Sequence, residues 1–245
     1  MPVRSRRVAA TVLGISALLL CTGLQHNLSA QALHFERAFA TFNKSEPPAY
    51  RAFRRLEAGL IGTDKHGWIE AWTEFRPGRG LTVDVVREGG SDYVRNKVLR
   101  NLLSNEQELL ADGKSLRQSL EAKNYTFEDG GMTENGLRRI ILIPVRKSVG
   151  IVNGNVLLDP AAGVVGMTGR LVKSPSFWVR DVDVTWKFAT IAGYVVPTEM
   201  STDGRVRFFG KSSFKMTYQY VSIDGQPTGA TVVTATREQG KDDKR

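Results

Sequence analysis

The chain has 245 residues, of which 34 are lysine or arginine and 25 are aspartate or glutamate, so its formal net charge is +9. It contains one cysteine, Cys21, which excludes a fold stapled by disulfide bonds within the chain. The positive residues are interspersed with acidic ones and no nucleic-acid recognition module is present. The interspersed charges fit an ordinary solvated surface, and the missing module disfavours a nucleic-acid partner. If the basic excess has a partner, attraction to an anionic membrane surface is the favoured use.

The first 32 residues have the three parts of a cleavable secretory signal peptide. Arg4, Arg6 and Arg7 give a basic start, and residues 8–20 form an apolar run too short to span a bilayer comfortably. The sequence Ala30-Gln31-Ala32 is a small-x-small cleavage site. An uncleaved membrane anchor is the alternative. We expect export to a bacterial periplasm.

Cys21 lies in a stretch that resembles a lipobox, but Leu20 stands where such a sequence needs a small residue. Lipidation of Cys21 is therefore disfavoured but not excluded.

The remaining chain, residues 33–225, has the length of a single domain with a sizeable core. Residues 226–245 are polar and are predicted to form a mobile tail.

Two short helices are predicted ahead of the first strand. The first covers residues 34–42 and is followed by Pro47-Pro48, which breaks it. The second is predicted over residues 50–59, with Phe53 and Leu56 on one face and with three charged residues facing solvent, namely Arg54, Arg55 and Glu57.

A β-hairpin is predicted next, because residues 67–76 alternate and Pro77 to Gly80 is a turn sequence. One face carries Ile69, Ala71, Thr73 and Phe75; the other carries Trp68, Glu70, Trp72 and Glu74. The two tryptophans fit either a packed sheet edge or a strip that anchors a partner.

The main helix is predicted from residue 91 to residue 111, because apolar residues recur there at helical spacing. Its apolar stripe should lie on a sheet, and in particular over the strands of residues 151–188. The residues predicted to form this helical cover are Val94, Val98 and Leu102. A second short helix is predicted around Leu116 and Leu120.

The chain after Tyr125 is predicted to be almost entirely β-strand in an antiparallel meander. The run Ile140 to Ile143 is apolar throughout, which predicts a strand buried on both faces. The later strands are predicted at residues 151–158, 163–171, 179–188, 194–198, 205–209 and 214–223.

Large apolar side chains alternate along two of these strands. The candidates for one apolar groove are Val182, Val184, Trp186, Phe188, Phe214, Met216, Tyr218 and Tyr220, with Phe208 as a further aromatic of the same surface. Two interpretations stay open, an ordinary core and a groove that binds an acyl chain.

Candidates for chemistry are few. His34 and His66 lack partners at metal-ligand spacing, and Asp181 with Asp183 lies on the strand face predicted to be exposed. No nucleophile motif is present. We therefore predict a protein that is not an enzyme and has no catalytic residue, metal or cofactor.

Several stretches resemble the outer-membrane lipoprotein-sorting superfamily of LolA/LolB-like proteins. They are Leu157-Leu158-Asp159-Pro160, Gly169 to Trp178, Tyr194-Val195-Val196-Pro197 and Phe214 to Tyr220, with upstream similarity at Tyr50 to Ala58 and Asn96 to Arg100. The resemblance implies an α+β fold, an incomplete antiparallel β-barrel (half-barrel) whose concave face is covered by helices.

The resemblance also implies a function. We expect a periplasmic lipid or lipoprotein carrier or chaperone that binds acyl chains without covalent chemistry. Its expected partners are a lipid acyl chain or lipoprotein and an inner- or outer-membrane protein, and we expect a monomer. The alternative is a structural or envelope-assembly adaptor with a closed core and no lipid ligand, in which Trp68 and Trp72 anchor a partner.

Overall fold

A computed structural model describes residues 35, 38–44, 49–112, 119–174 and 179–230 of the chain. The predicted signal peptide, Cys21 and His34 lie outside these residues. So do Leu116, on the second predicted short helix, and the end of the tail after residue 230. In the part of the chain that is described, no helix is both long and apolar enough to cross a membrane.

Eleven strands lie within the described residues: β1 (Tyr50–Leu60), β2 (His66–Arg76), β3 (Gly80–Gly90), β4 (Tyr125–Met132), β5 (Arg138–Pro144), β6 (Val152–Leu158), β7 (Val164–Leu171), β8 (Val179–Ile191), β9 (Tyr194–Val206), β10 (Gly210–Ile223) and β11 (Gln226–Pro227). They form one sheet in the order β3-β2-β1-β10-β9-β8-β7-β6-β5-β4, and β11 pairs with β10.

The large antiparallel sheet is thus confirmed. Consecutive strands from β4 to β10 are neighbours, as the predicted meander requires, and β1 to β3 join the sheet by pairing β1 with β10. Among the described residues β3 and β4 do not pair with each other, so the sheet is open, which is consistent with an open barrel. Gln226–Pro227, predicted to belong to the tail, pairs with the end of β10.

Among the described residues, the helical ones are Phe35, residues 38–44 and the continuous stretch 92–111, which contains a π-helical segment Val94–Leu99 and helix α1 (Arg100–Ala111). The main helix predicted between residues 91 and 111 is therefore present. The π-helical segment has a wider turn, since the backbone N–H of Arg100 donates to the carbonyl of Arg95, five residues earlier.

The wider turn moves the apolar face of the helix by one residue. Val94 is buried as predicted, but Val98 and Leu102 are 41% and 37% exposed, whereas Leu99 and Leu103 are 0% and 4% exposed. The prediction that Val98 and Leu102 form the helical cover is therefore wrong. It assumed an uninterrupted α-helix, in which residue 98 follows residue 94 on the same face.

The prediction of a helix over residues 50–59 is also wrong, because this segment is strand β1. Ala52, Arg54 and Leu56 are fully buried and point to one face of the sheet. β1 pairs with β2 on one side and with β10 on the other, so both of its edges are hydrogen-bonded. Tertiary pairing overrides the helical preference of its arginine, glutamate and alanine residues.

Two strand predictions also change in detail. Ile140 and Leu142 are fully buried but Ile143 is 38% exposed, so β5 is buried on one face rather than two. The strand predicted at residues 205–209 is instead the end of β9 and a turn, in which the N–H of Phe209 donates to the carbonyl of Val206. Phe208 lies in that turn and is 85% exposed.

The apolar side chains form two cores. The first core joins residues 38–44 to the inner face of β4 to β9, and its buried members include Phe39, Phe42, Ile140, Val156, Val184 and Phe188. The second core joins the π-helical segment and α1 to β1, β2, β9 and β10, and its buried members include Leu56, Ile69, Leu99, Leu103, Met216 and Tyr220.

Candidate functional site

The candidates on β8 lie in the first core. Val184 and Phe188 are buried and Trp186 packs against the same core. The ring of Phe42, from residues 38–44, meets the ring of Phe188 edge to face at a centroid distance of 5.2 Å. Val182 is buried too, but it belongs to neither core.

The candidates on β10 lie in the second core. Met216, Tyr218 and Tyr220 are buried there and Phe214 packs against them, while Leu99 and Leu103 belong to the same cluster. The structure therefore divides seven of the eight candidates between two cores, and Val182 belongs to neither. The expectation that the main helix lies over residues 151–188 is wrong, because the helical side chains packed with the buried residues of this segment, such as Val184 and Phe188, come from residues 38–44.

A buried ion pair crosses the second core. Arg54 of β1 is completely buried, and its Nη2 donates to Oε2 of Glu106 on α1 at 2.7 Å. The guanidinium carbon lies 4.7 Å from the centre of the Tyr218 ring, and Nη2 also lies 2.7 Å from Sδ of Met216. Arg54 thereby links the sheet to the helix in the middle of an apolar interior.

The charge of Arg54 is only partly satisfied. Its Nε and Nη1 are buried and have no hydrogen-bond partner among the described residues. Burial opposes the charged form, but the neighbouring Tyr218 and Glu106 raise the pKa of Arg54 above its ordinary value. Burying a guanidinium with two nitrogens unpaired among the described residues costs free energy, which indicates that this interior has a role besides apolar packing.

Three tyrosines lie around the same guanidinium, and all of them stay neutral. Burial raises the pKa of Tyr218 far above its usual range, against the opposing effect of Arg54. Burial likewise raises the pKa of Tyr50 and Tyr220. The Tyr218 and Tyr220 rings are stacked with their centroids 5.8 Å apart, and their hydroxyls are neutral polar groups inside the core.

Sequence reasoning missed Arg54 and Glu106. The predicted helix over residues 50–59 placed Arg54 in solvent, whereas the alternation of Ala52, Arg54, Leu56 and Ala58 was the signal that they share one strand face. Glu106 follows Leu103 by three residues and so falls on the buried side of α1.

The outer face of β1 to β3 carries a second group of arginines and tryptophans. Arg51 lies over the Trp72 ring at 4.8 Å and Arg55 lies over the Trp68 ring at 4.7 Å. Buried Glu70 accepts hydrogen bonds from Arg55 at 2.6 Å and from Arg87 at 2.7 Å. Trp68 and Trp72 are half-buried under these side chains.

A surface groove of about 530 Å³ lies beside this face, between the ends of β1, β2, β9 and β10. Its lining mixes charged, polar and apolar groups, among them Arg55, His66, Trp68, Asp203 and Lys215. Phe214 is the one groove candidate that lines it. Because charged and polar side chains line it beside the apolar ones, this groove differs from the apolar interior predicted from the sequence.

The carboxylate pair considered for chemistry lies in solvent. Asp181 and Asp183 are exposed, and Arg170 donates two 2.8 Å hydrogen bonds to Asp183, which lower the pKa of that carboxyl group. His66 is exposed at the start of β2. Across the described ranges, no group of three or more histidine, cysteine or acidic residues is placed to hold a metal ion.

Comparison with known proteins finds similarity in solved structures only. No family model and no curated protein matches the chain. A LolA superfamily protein from Nitrosomonas europaea is 9% identical, with a TM-score of 0.41 over 77% of this chain and 90% of that one. A DUF1329 family protein from Desulfovibrio piger is 10% identical, with a TM-score of 0.29 over the same shares of the two chains.

The first of these structures carries the name of the superfamily that the sequence resembles. At these TM-scores neither similarity assigns a ligand or a function to this chain.

Proposed function

We propose that this protein is a periplasmic carrier or chaperone for a lipid or lipoprotein. In this proposal, acyl chains bind without covalent chemistry between the inner face of β8 and β10 and the helical segments that cover the concave side of the half-barrel. The partners are a lipid or lipoprotein and a protein of the inner or outer membrane, and the carrier is a monomer.

The observation that carries the proposal is the way the interior is closed. The buried side chains of β8 and β10 pack against short helical segments, with residues 38–44 in the first core and Val94 to Leu103 in the second. Such a segment can move away without breaking any hydrogen bond of the sheet. Apolar space for a chain would then open while the sheet stays intact.

The side chains at this boundary suit a ligand of variable shape. Met216 and Trp186 lie there together with the stacked aromatic rings of Tyr218 and Tyr220. Methionine fills irregular space adaptably, and large aromatic rings supply apolar area with few rotatable bonds. Buried Arg54, with two donors free among the described residues, adds a cation that an open interior could present to a polar group of the ligand.

A lipid-binding titration tests this function. Protein purified from cells that express the full chain is delipidated and titrated with a fluorescent fatty acid, and the untreated protein is analysed for bound lipid by mass spectrometry. We expect saturable binding of the fatty acid. The absence of both saturable binding and co-purified lipid would rule out a carrier.

Two variants of one strand locate the binding. Met216→Trp fills the interior and should weaken fatty-acid binding about tenfold or more, which corresponds to about 1.4 kcal/mol. Lys215→Trp adds the same ring on the opposite, exposed face of β10 and should leave binding unchanged. Circular dichroism of both variants checks that the strand still folds, because overpacking alone costs about 1–3 kcal/mol.

The alternative function is an envelope-assembly adaptor with a closed core. The observation that favours it is the outer face of β1 and β2, where Trp68 and Trp72 lie half-buried beneath Arg55 and Arg51. Tryptophan and arginine are the residues most enriched at interface hot spots. In this case the double variant Trp68→Ala/Trp72→Ala folds normally and loses a partner in pull-down experiments, while fatty-acid binding is absent from the wild type.

A further inference from the structure

Two hairpin turns lie side by side at one end of the sheet. The turn between β1 and β2 covers residues 61–65, and the turn between β9 and β10 covers residues 207–209. β1 and β10 pair up to this end, with Leu60 opposite Ser212, and the N–H of Ile61 donates to the carbonyl of Lys211 at 2.9 Å. We call this pair of turns the hairpin tip.

The hairpin tip exposes large apolar side chains. Phe208 is 85% exposed, Phe209 is 58% exposed and Ile61 is 56% exposed. None of the three belongs to either core. Phe208 also has a backbone φ of 68°, a left-handed conformation that bulky residues rarely adopt. Three large apolar groups on adjacent turns form a patch rather than scattered exposure, and such a patch marks an interaction surface.

Cations surround this patch. Arg180, Arg205 and Lys211 lie directly opposite one another on β8, β9 and β10, so that they form a row across the sheet. Lys65 adds a further charge, with its Nζ 5.9 Å from the centre of the Phe209 ring, and Arg207 lies over the ring of its neighbour Phe208 at 5.7 Å.

The cations at this end of the sheet outnumber the acidic residues. Within the described residues none of the ion pairs involves Lys65, Arg180, Arg205 or Lys211. The acidic residues on the same strand ends and turns are Asp64, Asp181 and Asp203. The end of the sheet is therefore positively charged around an apolar centre.

We propose that the hairpin tip docks on the surface of an anionic phospholipid bilayer. Phe208, Phe209 and Ile61 enter the boundary between head groups and acyl chains, and the surrounding lysine and arginine side chains face the head groups. Aromatic rings favour this boundary, basic residues are attracted to the negative surface, and long basic side chains place their charge in the head-group layer.

A bilayer fits this surface better than a protein does. Two narrow turns offer little area, whereas a specific protein interface buries about 800 Å² on each partner. A bilayer accommodates protruding side chains singly and supplies anionic charge around each of them.

Vesicle sedimentation tests the proposal. The full-length protein is mixed with vesicles of phosphatidylglycerol and phosphatidylcholine in equal amounts, and separately with vesicles of phosphatidylcholine alone. We expect binding to the anionic vesicles that falls as salt is added, and weak binding to the neutral ones. Equal binding to the two kinds of vesicle, or no binding to the anionic ones, would overturn the proposal.

Matched variants locate the surface. Phe208→Ser/Phe209→Ser should lower partitioning onto anionic vesicles about tenfold or more, and Arg205→Gln/Lys211→Gln should lower it about fivefold for each charge removed. Two controls lie outside the hairpin tip. Met132→Ser changes an apolar residue of β4 that is 64% exposed, and Arg139→Gln/Lys173→Gln removes two exposed cations.

Unchanged binding of the hairpin-tip variants, or equal losses in the control variants, would also overturn the proposal. Because the variants lie outside both cores, the fatty-acid titration stays an independent measurement. Vesicle binding can therefore fail while the carrier function stands, and the reverse is equally possible.

Discussion

Nη2 of Arg54 on β1 lies 2.7 Å from Oε2 of Glu106 on α1, and both side chains are buried. This ion pair is the polar contact that ties α1 to the sheet within the second core. The apolar contacts of the helix come from Val94, Leu99 and Leu103. The buried ion pair and these apolar contacts act together with two polar contacts to β3, from Arg100 to Glu88 at 2.7 Å and from Gln107 to the carbonyl of Leu81 at 3.0 Å.

Glu106→Ala should destabilise the protein by about 3–5 kcal/mol, because it leaves the guanidinium of Arg54 buried without a counter-charge. Urea denaturation measures the loss. Glu108→Ala is the matched control, since Glu108 is exposed on the same helix. Similar losses for the two variants would contradict the buried ion pair. Replacing both partners by apolar residues, as in Arg54→Met/Glu106→Leu, should restore most of the stability.

The phase of the helix can be tested with neighbouring pairs. Leu99→Ala and Leu103→Ala should each cost about 2–5 kcal/mol, because each empties a buried site. Val98→Ala and Leu102→Ala should change the free energy of unfolding by no more than about 0.5 kcal/mol, since both side chains face solvent. The reverse ranking would mean that the helix is regular and lies on its other face.

Gly154→Ala should destabilise the pairing of β6 with β7. An added Cβ would lie 2.0 Å from the carbonyl oxygen of Thr168, which is backbone and cannot move aside alone. We expect a loss of at least about 1–3 kcal/mol in thermal or urea unfolding. Gly166→Ala on β7 is the control, because its added Cβ has no neighbour closer than 3.5 Å. Equal effects of the two changes would argue against the close approach of the strands at Gly154.

Glu70 should make the stability fall in acid. Its burial alone would raise the pKa, but the hydrogen bonds from Arg87 and Arg55 lower the pKa below the ordinary 4.5. A carboxyl group whose pKa is lower in the folded than in the unfolded state stabilises the fold above pH 4.5. That contribution is lost as the pH falls below this value and through the folded pKa.

Glu70→Gln should therefore be less stable than wild type at neutral pH, with a difference that shrinks as the pH falls through this range. Urea midpoints measured at several pH values provide the check. Glu74→Gln is the control on the same strand face, where the carboxylate pairs with Arg76 in solvent. A difference between Glu70→Gln and wild type that does not change with pH would contradict a role for the Glu70 carboxylate.

Much of the sheet could be predicted from local pattern alone. The hairpin of β2 and β3 was predicted correctly because Ile69, Ala71 and Phe75 alternate with polar residues and a Pro-Gly turn follows. The strands that carry Val184 and Met216 alternate just as clearly, and their inner faces are buried as predicted. Alternation is a property of neighbouring residues, so no knowledge of distant contacts is needed to recognise it.

The wrong predictions arise where the local residue pattern carries no signal for the structure that forms. The sequence predicts a helix over β1 because the partners that surround buried Arg54 are distant in the chain, with Glu106 52 residues away and Met216 162 residues away. Regular α-helical spacing predicts that Val98 and Leu102 lie on the buried face, because the sequence carries no signal for the π-helical turn. The sequence pattern predicts that Phe208 belongs to the same surface as the groove aromatics, but the turn between β9 and β10 leaves it in solvent.

The amino-acid pattern therefore established the strand content, the inner and outer faces of the best strands and the position of the main helix, because each depends on periodicity along the chain. Tertiary structure decided the pairing of β1 with β10, the division of the interior into two cores and the burial of Arg54 against Glu106. Each of these joins segments far apart in sequence, and its stability comes from the burial and pairing of both partners at once.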